Sequence, residues 1–182
     1  MEGGLRNMYY LTVGYPLGSD IVENRLVFQV SLRKQAVQLI PLEYRIWGRF
    51  LLGAYGEEVE KSLPEADLRG FSPTMNKLIQ TGLLASFPDG DYAQMKPLKF
   101  MRQGIGEGLD LQTNAYSVMF RGKVELSPLE YDVWREADGE ISYREIERRV
   151  ILKRRIPAFE AEKSVFGLCR RGLLLAVNRE ER

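Results

Sequence analysis

Histidine is absent from this 182-residue chain, and cysteine occurs once. Without histidine there is no side chain whose unperturbed pKa lies near neutrality, and the commonest metal ligand is missing. Ser-His-Asp and Cys-His catalysis are excluded, and a lone Cys169 builds neither an internal disulfide nor a zinc site of the usual ligand set. No apolar run approaches the roughly 20 residues that span a bilayer. The opening stretch MEGGLRNMYYLTVGYPLGSD interrupts its short apolar segment with Tyr, Thr and Gly, which makes a poor secretion signal. A Gly-rich phosphate loop is lacking too. GIGEGL at 104–109 follows no predicted strand and leads into no helix-opening Lys-Ser/Thr pair, so it reads as a flexible linker. No pair of carboxylates stands out for acid–base work. These absences set the first expectation: a soluble, cytoplasmic chain that is not an enzyme, with no cofactor, no metal and no membrane contact.

Charge of one sign is also missing. The chain carries 26 basic and 25 acidic side chains, a formal net charge of +1. Split at Gln112, the two parts hold 12 basic and 13 acidic residues, then 14 and 12. Neither part is a basic domain of the kind that coats nucleic acid indiscriminately.

What is present is a repeat. VQLIPLEYRIW at 37–47 returns as VELSPLEYDVW at 124–134, an offset of 87 that sets Pro41-Leu42-Glu43-Tyr44 on Pro128-Leu129-Glu130-Tyr131 and Trp47 on Trp134. TGLLASF at 81–87 resembles RGLLLAV at 171–177 at an offset of 90. Matching ends with a small insertion between them are typical of duplicated domains.

Each copy reads as a strand–turn–helix. Val124 and Leu126 alternate with Glu125 as a half-buried strand does, and Gly122 suits the tight hairpin turn before them. Ser127, Pro128 and Glu130 are an N-cap, a first-turn proline and a capping-box acid, and Ser142 with Glu145 repeats the box for a second helix. In the first copy Ile40 replaces the capping serine. GEEVEKSLPEADL and SPTMNKLIQTGLL are its second and third helices, and Pro157 opens the third helix of the second copy. Each copy is expected to bury its own tyrosine and tryptophan in a separate core. Cys169 is expected to be a small core residue. A hairpin followed by three short helices predicts an α+β protein of two tandem winged-helix domains. Residues 1–24 form an N-terminal arm or an extra strand, 25–102 and 114–182 the two domains, and 103–113 the linker.

The segment GKVELSPLEYDVWREADGEISYREI resembles the effector domain of OmpR/PhoB-type response regulators, where a short sheet enters a V-x-L-T/S-P-x-E-F/Y helix start. The resemblance covers Gly122 to Ile146, and Val37 to Trp47 in part. It implies a winged-helix fold with DNA-binding heritage.

In a winged helix the third helix faces the major groove and the wing touches the backbone. On that basis Thr74, Asn76, Lys77 and Gln80 of the first copy are candidate DNA contacts, with Lys163, Ser164, Arg170 and Arg171 of the second. Asn and Gln pair bidentately with adenine, and Lys and Arg reach guanine or phosphate. Pro88-Asp89-Gly90 predicts a wing turn, Tyr92 to Met95 its returning strand, and Lys96 and Lys99 its basic edge. The run Arg144, Arg148, Arg149, Lys153, Arg154 and Arg155 reads equally as a solvated helix face or as a further phosphate clamp. The expected function is a double-stranded DNA-binding protein, a transcriptional regulator or a replication or plasmid-maintenance factor. The alternative is a protein-interaction adaptor on winged-helix scaffolds, with a protein partner or a homodimer.

Overall fold

The computed structural model describes residues 8–88, 91–113 and 115–179. Residues 1–7 of the expected arm and Asp89-Gly90 of the expected wing turn lie outside them.

One order of elements occurs twice. The first half runs β1 (Met8–Thr12), β2 (Tyr15–Val22), β3 (Arg25–Leu32), β4 (Gln35–Leu39), α1 (Pro41–Arg49), β5 (Ala54–Tyr55), α2 (Gly56–Ser62), α3 (Glu65–Gln80) and β6 (Leu84–Pro88). After a 3-10 turn at Tyr92–Met95, the second half runs β7 (Leu98–Arg102), β8 (Ile105–Asp110), β9 (Ala115–Met119), β10 (Lys123–Leu126), α4 (Pro128–Glu136), β11 (Asp138–Ser142), α5 (Tyr143–Arg154), α6 (Ala158–Arg170) and β12 (Leu174–Arg179). The strands form four three-stranded antiparallel sheets, in the orders β5-β1-β6, β2-β3-β4, β11-β7-β12 and β10-β9-β8. The edge strands β2 and β8 share a bulge, with register shifts at Pro16/Gly18 and at Gly106/Gly108, 90 residues apart.

Local chemistry explains the matching helix starts. Pro41 and Pro128 occupy first-turn positions where a missing N–H leaves no bond unmade. Ser127 and Glu130 form the full capping box, the Glu130 N–H donating to Ser127 Oγ at 3.2 Å and the Ser127 N–H to Glu130 Oε2 at 2.8 Å. At the first copy, Glu43 Oε2 accepts the Ile40 N–H at 3.1 Å alone, since isoleucine has no oxygen to return the bond. Ser142 makes no side-chain cap, and the Glu145 carboxylate that would return the bond is taken by Arg148 and Arg149.

Above each helix an aromatic stack runs from the hairpin to the core. Phe28 lies 4.2 Å from Tyr44, which lies 5.7 Å from Trp47; Tyr116 lies 4.2 Å from Tyr131, which lies 5.6 Å from Trp134. Trp47 Nε1–H donates to Leu83 O at 3.2 Å and Trp134 Nε1–H to Gln103 O at 2.9 Å, so each indole is anchored at both its apolar and its polar end.

Several expectations are corrected here. The fold is a mixed α and β fold rich in small antiparallel sheets, not a pair of tandem winged-helix domains. A wing needs a hairpin after the third helix. Instead the single strand β6 pairs back with β1 along its whole length, from Met8↔Pro88 to Thr12↔Leu84. Tyr92–Met95, expected to be the returning wing strand, is a 3-10 turn. The expected linker contains β8; of the two alternatives for residues 1–24, an arm or an extra strand, MYYLT is the strand, β1, central in its sheet. Nor are there two interiors. Trp47 and Trp134 belong to one continuous buried cluster, with Tyr44 and Tyr131 packed against it. The halves meet at Val13, which bridges to Ala176, at Gly14, whose N–H donates to Ala176 O at 2.8 Å, and at Tyr9, whose ring lies 4.8 Å from Phe166. In the first half Pro64 ends α2 early, and α3 runs through Pro73.

Candidate functional site at the seam between the halves

The structure separates the proposed DNA contacts and neutralises most of their charge. Thr74, expected at the edge of an outward face, is 7% exposed and packs in the core. Asn76 and Gln80 are exposed on α3. Lys77 instead reaches across to Glu43, the same carboxylate that caps α1. Lys96 is drawn inward to Glu147 at 3.1 Å and Glu162 at 3.5 Å. Arg148 and Arg149 both bind Glu145, at 2.8 and 2.9 Å, and Arg149 adds Glu136 at 3.1 Å. Those two guanidiniums hold the Glu145 carboxyl down at about 2. Lys153 and Arg154 converge on Asp132, at 2.5 Å each, and Arg171 binds Glu130 at 2.7 Å. Seven of these cations are therefore committed inside the fold. Arg155, Lys163 and Arg170 have no ion-pair partner among the described residues; Arg170 lies over the Phe166 ring at 6.0 Å. Ser164 is half-buried.

Lys99 has gone elsewhere, and it marks the site that the sequence reading missed. The β3–β4 hairpin closes through a two-residue turn, Arg33-Lys34, between the paired residues Leu32 and Gln35. Both turn residues hold positive φ, 52° and 65°. That turn type ordinarily takes Asn-Gly or Asp-Gly, and a left-handed residue with a side chain costs on the order of 1–2 kcal/mol. The β2–β3 hairpin of the same sheet closes alike through Glu23-Asn24, at 49° and 62°, so what sets the Arg33-Lys34 turn apart is its two cations.

The turn lies against the second half and separates two clefts. The first, of about 260 Å³, is lined by Arg33, Gln80, Ser86 and, from the last strand, Arg179, over an apolar wall of Leu32, Ile79 and Leu84. The second, of about 230 Å³, is lined by Lys34, Lys99, Asp138 and Glu140, with Tyr15, Ser31 and Asn178 beside them. Arg33, Lys34, Lys99 and Arg179 make no ion pair among the described residues. The C-terminal end of α3 also borders the first cleft, and three of its last carbonyls are bonded: Thr81 N–H and Oγ1 donate to Lys77 O, Gly82 N–H to Ile79 O and Leu83 N–H to Leu78 O. In the second cleft the backbone N–H groups of Glu140 and Ile141 donate to Asp138 Oδ1 at 2.8 and 3.4 Å and hold its carboxyl below the usual range, so it is ionised at neutral pH. The available signal was the pair RK between VSL and QAVQL, standing where a tight turn favours glycine.

Among the described residues, no group of three or more Cys, Asp or Glu side chains is placed to hold a metal, and no helix is long and apolar enough to cross a membrane.

No family model and no curated protein matches this chain. Among solved structures, it is similar to PKMT2 from Rickettsia typhi, at 14% identity over 94% of this chain and 42% of that one, with a TM-score of 0.36. It is similar in the same way to PKMT2 from Rickettsia typhi in complex with AdoHcy, at 14% identity over 93% and 42%, with a TM-score of 0.35. The chain spans less than half the length of these matched chains. Two expectations fall here. The DNA-binding regulator is withdrawn, because the fold is not a pair of winged helices and seven of its cations are internally paired. The expectation that the chain is not an enzyme is withdrawn with it, since it rested only on motifs that are missing. A likeness at this level assigns no activity to the chain itself.

Proposed function

We propose that this chain is a ligand-binding protein whose site is the seam between its halves, and that its ligand carries a carboxylate or phosphate group read by Arg33 and Arg179. The observation that carries this reading is the placement of two arginines, both without ion pairs among the described residues, on one cleft, Arg33 from the first half and Arg179 from the last strand of the second. Guanidinium forks match the planar, bidentate geometry of carboxylate and phosphate oxygens. A volume of about 260 Å³ lies below the roughly 300–1,000 Å³ of drug-sized pockets, which favours a small ligand over a protein segment.

Calorimetric titration with glutarate and with inorganic pyrophosphate, at matched ionic strength, distinguishes the two anion chemistries. At least one is expected to bind, and Arg33→Met or Arg179→Met to weaken it tenfold or more. Lys163→Met, remote from the seam, serves as control. The reading fails when neither probe binds, or when binding survives both arginine replacements unchanged.

A further inference from the structure

The second cleft holds charges of both signs that have not paired with one another. Lys34 and Lys99 bring two positive charges, Asp138 and Glu140 two negative, and all four line the same 230 Å³. Elsewhere in this protein opposite charges form ion pairs, as Lys153 and Arg154 do on Asp132. These four form none with one another. Lys34 stands on the left-handed turn of the first half, and Asp138 Oδ1 accepts two backbone N–H groups on the second. Lys99 sits on β7 and Glu140 on β11, at the register shift between Asp138 and Ser142.

A cleft with separated positive and negative edges matches a ligand that carries both charges. A simple anion would satisfy the lysines and face the acids; a simple cation would do the reverse. We infer that the second cleft receives the headgroup of a free α-amino acid, its carboxylate on the Lys34–Lys99 side and its ammonium on the Asp138–Glu140 side. This rests on the reading of the seam as the ligand site. It makes the ligand an acidic amino acid or a derivative, with its second anionic group at Arg33 and Arg179 across the turn.

The test titrates the full chain with L-glutamate and with glutarate, which has both carboxylates and no amine. L-glutamate is expected to bind at least tenfold more tightly. Glu140→Gln is expected to bring L-glutamate down to the glutarate level while leaving glutarate binding intact, and Lys34→Met to weaken both. Circular dichroism of each variant confirms its fold, and Glu140, at a strand position with no ion pair, is replaced by its isostere. Equal binding of the two probes, or a preference for L-glutamate that survives Glu140→Gln, overturns the inference and leaves the Arg33–Arg179 site standing. Binding of pyrophosphate alone, lost in Arg33→Met, also overturns the amino-acid inference and keeps the seam. Absence of binding by L-glutamate, glutarate and pyrophosphate removes both.

Discussion

Arg45 and Asp132 occupy equivalent positions in α1 and α4, 87 residues apart, and carry opposite charges. Each is answered in kind from a neighbouring helix. Arg45 Nη2 lies 2.8 Å from Asp67, and Asp132 accepts Lys153 and Arg154 at 2.5 Å each. A duplicated position has kept its bridging role while its sign was inverted, which is possible because a salt bridge depends on complementarity and not on which side is positive.

The two bridges differ in their cations, and their removal should differ accordingly. Both acids are buried, Asp132 at 4% and Asp67 at 8% exposure, but Asp132 holds two cations and Asp67 one, Arg45, whose side chain is largely in water. Breaking a buried pair costs about 3–5 kcal/mol, but both cations on Asp132 are partly solvated, so Asp132→Asn should cost about 2 kcal/mol. Asp67→Asn should cost about 1 kcal/mol or less. Burial works to raise the Asp132 carboxyl, yet the hydrogen bonds from Lys153 and Arg154 outweigh it and hold it below the usual range. Its contribution is therefore present above the unfolded pKa of about 3.9 and is lost as pH falls through the lower folded value. Urea unfolding at several pH values should show a shallower acid limb in Asp132→Asn than in the parent.

Lys96 gives the opposite pH dependence. Burial works to lower its ammonium pKa, but hydrogen bonding and attraction from Glu147 and Glu162 prevail and raise it. That stabilisation is complete below the unfolded value of about 10.4 and is lost as pH rises through the folded one. Glu147 is 6% exposed, and neither its Oε1 nor the Tyr143 hydroxyl one turn before it has a hydrogen-bond partner among the described residues. Lys96→Met strands this carboxylate and should cost about 3 kcal/mol at neutral pH. Alkaline unfolding should then begin from a lower plateau with a weaker slope. The buried phenols of Tyr9 and Tyr143, both raised by burial, share that limb, so the difference between variant and parent is the quantity to measure.

Gly14 is the backbone hinge of the seam. Its φ is 101°, and a Cβ there would sit 2.3 Å from the Ser31 carbonyl oxygen. Gly14→Ala combines a disfavoured backbone region with a clash against main chain, which cannot rotate away. A loss of about 3 kcal/mol or more is expected, with hydrogen exchange rising first at the Gly14–Ala176 contact. Gly18→Ala, with nothing within 4 Å of the added Cβ, isolates the strain of a positive φ without the clash and should cost less.

Cys169 is 1% exposed, and burial pushes its thiol well up. A thiol kept protonated and shielded is inert to disulfide reagents. Native protein should give no labelling, unfolded protein one equivalent per chain, and the slow native-state rate should rise with urea in step with unfolding.

The legible features were those closed within a few residues. The helix start at Ser127-Pro128-Leu129-Glu130 shows in the sequence because both capping bonds span three positions. Tyr44/Trp47 and Tyr131/Trp134 read as anchors because three residues place two rings on one helix face. The strands β1, β2, β7 and β8 were not recognised as part of the repeat. Their likeness lies in glycine geometry, Gly14 and Gly104 at φ 101° and 88°, Gly18 and Gly108 at 139° and 90°, and hardly in side-chain identity. The basic runs misled for a related reason. Arg154 and Lys153 lie 22 and 21 residues from Asp132, and Lys77 lies 34 from Glu43, so nothing local announces that these charges are spent.

By itself the amino-acid sequence determined the doubled pattern, the helix starts and the apolar faces, because capping, φ preferences and hydrophobic periodicity act over one or two turns of chain. Only the tertiary structure decided that β6 returns to β1 and not into a wing, that both halves share one core, and that Arg33, Lys34, Lys99 and Arg179 meet at a seam. Strand edges and charges take whichever partner the folded chain brings near, and here those partners stand tens of residues away.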